Sequence, residues 1–170
     1  MTLFLVGMMG TGKTVVGKAL ASALNYDFID LDVYLEKKTK RTISEIFQTN
    51  GEEVFRNMER DIKKDPFFIA SNQVIATGGG FPLDAENLVW MKQKGIVIWL
   101  IAKPETIYQR IKHSNNRPLL PQPLNLSHIQ ELIAKRTFVY KQANYYIQTD
   151  NKSVKEIVQE ILKKIDEKNA

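Results

Sequence analysis

The 170-residue chain predicts an α/β protein, a three-layer αβα sandwich on a parallel sheet, from three observations. Apolar runs of strand length alternate with helical patterns from end to end, the order that right-handed βαβ crossovers produce. The run Ile96-Val97-Ile98-Trp99-Leu100-Ile101 is unbroken, as in a strand covered on both faces. Between the first apolar run, Leu3-Phe4-Leu5-Val6, and the first helical pattern stands Gly7-Met8-Met9-Gly10-Thr11-Gly12-Lys13-Thr14. This Gly-x4-Gly-Lys-Thr stretch has the strand before it and the helix after it that a phosphate-binding loop requires.

The residue types of that loop explain its chemistry. Glycines at 7, 10 and 12 permit positive φ, so successive backbone N–H groups can turn inward onto phosphate oxygens. Lys13 and Thr14 then open a helix, predicted over 12–24, whose free N–H groups and positive dipole end favour the same anion. The Lys13 ammonium can reach β- and γ-phosphates, and the Thr14 hydroxyl can serve Mg²⁺. A nucleoside triphosphate site follows from the loop alone, without the identity of the acceptor.

Composition narrows the classes. A chain of this length is expected to be one domain, 1–170, burying ~70% of its unfolded surface. With 44% hydrophobic and 25% charged residues it is ordinary for a globular protein. The absence of cysteine excludes disulfides, thiolate nucleophiles and cysteine zinc sites. No basic residue precedes Lys13 and the N-terminal apolar run is broken by glycine, so neither a signal peptide nor a membrane span is expected, and the expected setting is cytoplasmic. The net charge of +5 is scattered without interleaved aromatics, which favours solvated helical faces over a nucleic-acid surface.

Along the chain, residues 26–30 read as a second strand ending in Asp30-Leu31-Asp32, at the strand end where open α/β sheets place ligands. These carboxylates point the same way if the strand continues and diverge if a helix starts at once. Either could hold Mg²⁺ opposite the loop or cap a helix predicted over 33–38. Thr42-Ile43-Ser44-Glu45 is a capping box for a short helix ending near Asn50-Gly51. A further helix is predicted over 52–64, in which Glu52 and Arg56 are an i,i+4 pair and Arg56 reads as a surface charge. Gln73 to Thr77 is a buried strand running into Gly78-Gly79-Gly80, either a loose turn or a place where backbone lies against a ligand. Helices are predicted over 83–93, 104–113, 126–143 and 154–165, the last behind a second capping box, Ser153 to Glu156, with a last strand over 145–149. Pro118, Pro121 and Pro123 keep residues 112–124 irregular, the natural place for a lid.

Taken together these residues resemble the shikimate kinases, a family of small P-loop kinases, over nearly the whole chain. The elements occur in the family's order: Gly7 to Thr14, Asp30-Leu31-Asp32, Gly51-Glu52 with Phe55-Arg56 and Glu59, Gly78 to Gly80, Arg117-Pro118-Leu119-Leu120, and Arg136 with Tyr140. The resemblance implies a five-stranded parallel sheet and ATP-dependent phosphorylation of the 3-hydroxyl of shikimate, with ATP and shikimate as partners; a monomer is expected.

The resemblance also assigns residues. Gly10, Thr11, Gly12, Lys13, Thr14 and Val15 surround the nucleotide phosphates, and Thr14 with Asp30 serves Mg²⁺. Arg56 and Arg136 hold the substrate carboxylate, a task suited to guanidinium forks. Asp32 holds the substrate hydroxyls, with Gly79 and Gly80 giving backbone contacts. Lys13, Asp32 and a lid-borne Arg117 form the catalytic set, Arg117 also touching nucleotide. Near the adenine the family has an arginine and then a proline, where this chain reads Asn151-Lys152-Ser153-Val154. Lys152 supplies charge there without a flat guanidinium, and Arg110 supports it from the preceding helix. A gluconate kinase would share the loop and differ in the arginines. A nucleotide-dependent nucleic-acid-binding regulator is the non-enzyme alternative.

Overall fold

In the computed structural model, which describes residues 1–68, 70–112 and 123–169, five strands form one parallel sheet. They are β1 (Thr2–Val6), β2 (Asp27–Asp30), β3 (Gln73–Ala76), β4 (Gly95–Ile101) and β5 (Tyr145–Gln148). Their order is β2-β3-β1-β4-β5. Thr2 to Leu5 pair with Gln73 to Ala76 on one side of β1, and Thr2 to Val6 with Gly95 to Trp99 on the other.

Side chains alternate across a strand, so the sheet sorts its own apolar residues into two cores. Leu3 and Leu5 face α1 (Lys13–Leu24) and α7 (Val154–Asn169) and pack with Val16, Leu20, Ile157 and Ile161. Phe4 and Val6 face the opposite layer of α2 (Leu31–Thr39), α3 (Ile43–Asp61), α4 (Ala85–Lys94), α5 (Pro104–Ile111) and α6 (Leu126–Tyr140). Every residue of β1 and β3 is buried. The apolar run of β4 predicts equal burial, yet Ile96, Trp99 and Ile101 are only half-buried. β4 has the four-residue edge strand β5 as its outer neighbour, where the covering layers thin out.

Helix starts follow their caps. α2 begins at Leu31, two residues before the sequence predicts, because Asp30 caps it by accepting from Asp32 N and Val33 N. Thr42 and Glu45 close the predicted capping box of α3, and Ser153 and Glu156 exchange the same bonds before α7. The two helices expected either side of Gly51 are one run, α3, with a local break at Gly51 (φ 81°, ψ 171°). α4 starts at Ala85, where the Asp84 carboxylate accepts from Glu86 N and Asn87 N. Most of the expected lid, 113–122 with Arg117 in it, lies outside the described residues. Among the described residues no helix is long and apolar enough to cross a membrane.

Candidate active site

The carboxyl ends of β1, β2 and β3 deliver the loop, Asp30 and the triple glycine to one edge of the sheet. Gly7, Gly10 and Gly12 take φ of 138°, 78° and 96°, conformations that side chains other than glycine rarely adopt. Gly12 is also the N-cap of α1 and carries no side chain to satisfy its first N–H groups, leaving them to a ligand. The Thr11 hydroxyl donates to Met8 O at 2.8 Å and pins the bend. Lys13 curls over the loop, its ammonium donating to Gly7 O at 2.9 Å and Met8 O at 3.0 Å.

Asp30 caps a helix and bonds the loop at once. Its Oδ1 caps α2, and its Oδ2 accepts from the Thr14 hydroxyl at 2.7 Å. Because α2 starts at once, the two carboxylates diverge: Asp30 goes to Thr14, whereas Asp32 goes to Gly78. A Cβ at Gly78 would stand 2.7 Å from Asp32 Oδ1.

That contact is one of three, and together they exclude a loose turn at the triple glycine. A Cβ at Gly79 would meet Arg136 Nη1 at 3.0 Å, and one at Gly80 would meet Arg56 Nη1 at 2.5 Å and Nη2 at 2.6 Å. Each glycine clears room for a different charged side chain, drawn from α2, α6 and α3. The turn is therefore a close-packed platform for Asp32, Arg136 and Arg56.

The two arginines differ in their partners. Arg56 is not a surface charge: it donates through Nη1 to Glu59 Oε2 at 2.7 Å and through Nη2 to Glu52 Oε1 at 2.9 Å, and its side chain is 20% exposed. Glu59 is 2% exposed. Burial pushes its carboxyl up to about 7 despite the Arg56 guanidinium, and the charges of Asp32 and Asp84 add to the rise. Arg136 is 6% exposed and meets neutral groups, Met8 Sδ at 3.8 Å from Nη1 and the Tyr140 oxygen. Among the described residues it makes no ion pair.

Gly10 to Thr14, Asp30, Asp32, Arg56, Glu59, Gly78 to Gly80 and Arg136 line one cleft of about 860 Å³, which also takes in Val15, Arg110 and Lys152. Arg110 Nη1 donates to Gly10 O at 2.8 Å, and Lys152 is paired with Glu160 at 2.5 Å. Among the described residues no cluster of three acidic or histidine side chains could hold a metal alone. Of the candidate site residues, only Arg117 lies outside the described ones. Sequence reasoning missed the burial of Glu59 and the place of Tyr140, whose hydroxyl donates to Gly79 O at 2.6 Å. Spacing offered a hint for each, since Glu59 stands three residues after Arg56 and Tyr140 four after Arg136.

Comparison with known proteins agrees with this geometry. The sequence family described as shikimate kinase matches residues 9–166. A shikimate kinase of Persephonella marina is 43% identical over 163 residues, 96% of this chain and 98% of that protein. The solved structure of shikimate kinase from Acinetobacter baumannii in complex with shikimate superposes with a TM-score of 0.93 at 36% identity, over 98% and 93% of the two chains. A gluconokinase from Sinorhizobium meliloti reaches a TM-score of 0.57 at 16% identity, over 94% of this chain and 87% of its own, a likeness of fold alone.

Proposed function

The chain belongs to the shikimate kinase family, and we propose that it transfers the γ-phosphoryl group of ATP to the 3-hydroxyl of shikimate, in the route to chorismate and the aromatic amino acids. The observation that carries the reading is Arg136, a buried cation with no ion-pair partner among the described residues, in the same cleft as the phosphate loop. A buried charge left unpaired is costly, and a substrate carboxylate shared with Arg56 offsets that cost.

The remaining groups divide the work of phosphoryl transfer, which is mostly positioning and charge stabilisation. The inward N–H groups from Gly10 to Val15 bind the phosphates. Lys13 and Arg117 neutralise charge on the moving phosphoryl as its bond to the ADP oxygen breaks and its bond to the shikimate oxygen forms. Asp32 orients the attacking hydroxyl and takes its proton. Gly79 and Gly80 give the acceptor backbone contacts. Thr14 and Asp30, whose oxygens lie 2.7 Å apart, are a hard-oxygen pair of the kind that holds Mg²⁺ together with phosphates and water. When bound, the ion would supply neutralisation of phosphate charge. Arg110 and Lys152 flank the nucleoside end, and the lack of cysteine suits a reducing cytoplasm.

Coupled ADP release by the purified chain with ATP and Mg²⁺ tests the proposal, with shikimate, gluconate and nucleoside monophosphates as acceptors. Shikimate alone is expected to drive ADP release. Release driven by gluconate or a nucleoside monophosphate, with none from shikimate, overturns the reading.

A further inference from the structure

We propose that Tyr140 is a positioning residue for the acceptor site, its hydroxyl fixing the Arg136 guanidinium and the Gly79 backbone relative to one another. Tyr140 follows Arg136 by one turn of α6, so the two side chains leave the same helical face. The ring is 2% exposed and sits in the core beside Trp99, with centroids 5.8 Å apart. A phenylalanine would fill that space equally well, so packing does not account for the hydroxyl.

The hydroxyl has one proton, and it goes to Gly79 O at 2.6 Å. The Gly79 turn that this bond holds also packs against Arg136, whose charge favours the ionised form of the phenol. A Cβ at Gly79 would lie 3.0 Å from Arg136 Nη1 and 3.7 Å from Tyr140 Oη, so helix, arginine and glycine turn meet at one point.

A second consequence follows from peptide planarity. Holding the Gly79 carbonyl also sets the direction of the Gly80 N–H, because both belong to one rigid peptide unit. Gly80 in turn lies against the Arg56 guanidinium. Tyr140 thus acts on both arginines through the glycine turn, against which Arg136 and Arg56 pack.

The inference rests on the shikimate reading, so the unmodified chain is assayed alongside Tyr140→Phe by coupled ADP release. Loss of the bond that holds the Gly79 turn should raise the shikimate KM of Tyr140→Phe by up to about tenfold. The KM for ATP and kcat should stay within about threefold. In an Arg136→Lys background the same change should alter the shikimate KM by less than about twofold, because the partner is already lost. A purely structural tyrosine would instead depress both substrates together and add in full to Arg136→Lys. An unchanged shikimate KM, equal losses for both substrates, or full additivity overturns the role of Tyr140 and leaves the function standing. Absence of shikimate-dependent ADP release in the unmodified chain overturns both.

Discussion

Gly80→Ala probes the acceptor platform with little else disturbed. Gly80 has φ −91° and ψ −17°, right-handed values open to alanine, so the added methyl brings no backbone strain. It would stand 2.5 Å from Nη1, 2.6 Å from Nη2 and 2.8 Å from Cζ of Arg56. Ordinary contact lies at ~3.5 Å, so the guanidinium must move by about 1 Å. Its bonds to Glu59 at 2.7 Å and Glu52 at 2.9 Å resist that shift. Misplacement by ~1 Å in a positioning group costs up to ~100-fold. We therefore expect the shikimate KM to rise roughly 10- to 100-fold, with the KM for ATP within about twofold. Alanine at a compatible φ gains ~0.4–1 kcal/mol through the unfolded chain, offsetting part of the steric cost, so the thermal midpoint should move by only a few degrees. Coupled ADP release against a shikimate titration, with a melting curve on the same sample, provides both readouts. A shikimate KM within twofold of the unmodified chain would refute the platform argument.

Asp32→Asn should abolish kinase turnover while ATP still binds at near-normal affinity in calorimetry; near-normal turnover would remove Asp32 from the reaction. For Glu59, a folded pKa of about 7 against an ordinary 4.5 means that the native state holds a proton which the unfolded chain has released. Its contribution is fully present below about pH 4.5 and is lost as pH rises through about 7, on the order of 3 kcal/mol. Glu59→Gln should flatten that decline in urea-denaturation free energies across the same window, and an unaltered pH slope would contradict it. Asp30→Ala should lower stability by about 1 kcal/mol through loss of the α2 cap and raise the Mg²⁺ concentration needed for half-maximal turnover. Unchanged values in urea melts and Mg²⁺ titrations would count against the double role of Asp30.

What was legible in the sequence was what is contiguous in it. The phosphate loop, the two capping boxes and the buried strand before each turn all depend on neighbours within about five residues, where local chemistry dictates structure. The two tasks of Asp30 could be named and not divided, because the division turns on whether α2 starts at Leu31 or Val33. The acceptor platform was legible only through family resemblance. Arg56, Gly80 and Glu59 meet across the turn between β3 and α4, and Arg136 comes from a helix more than fifty residues later. Nothing local marks Arg56 as more than an i,i+4 partner of Glu52, and the i,i+3 spacing of Glu59 from Arg56 hints at a pair without showing that Glu59 is buried. The half-buried residues of β4 were misjudged for a related reason: an apolar run reports what a strand tolerates, whereas burial depends on its place in the sheet.

Phosphorus NMR of the reaction mixture is the most direct test of the central claim. With the purified chain, ATP, Mg²⁺ and shikimate, one new phosphomonoester resonance coupled to the proton at carbon 3 should grow in step with ADP. ADP accompanied only by inorganic phosphate, or a phosphoryl group on another hydroxyl, would contradict the account.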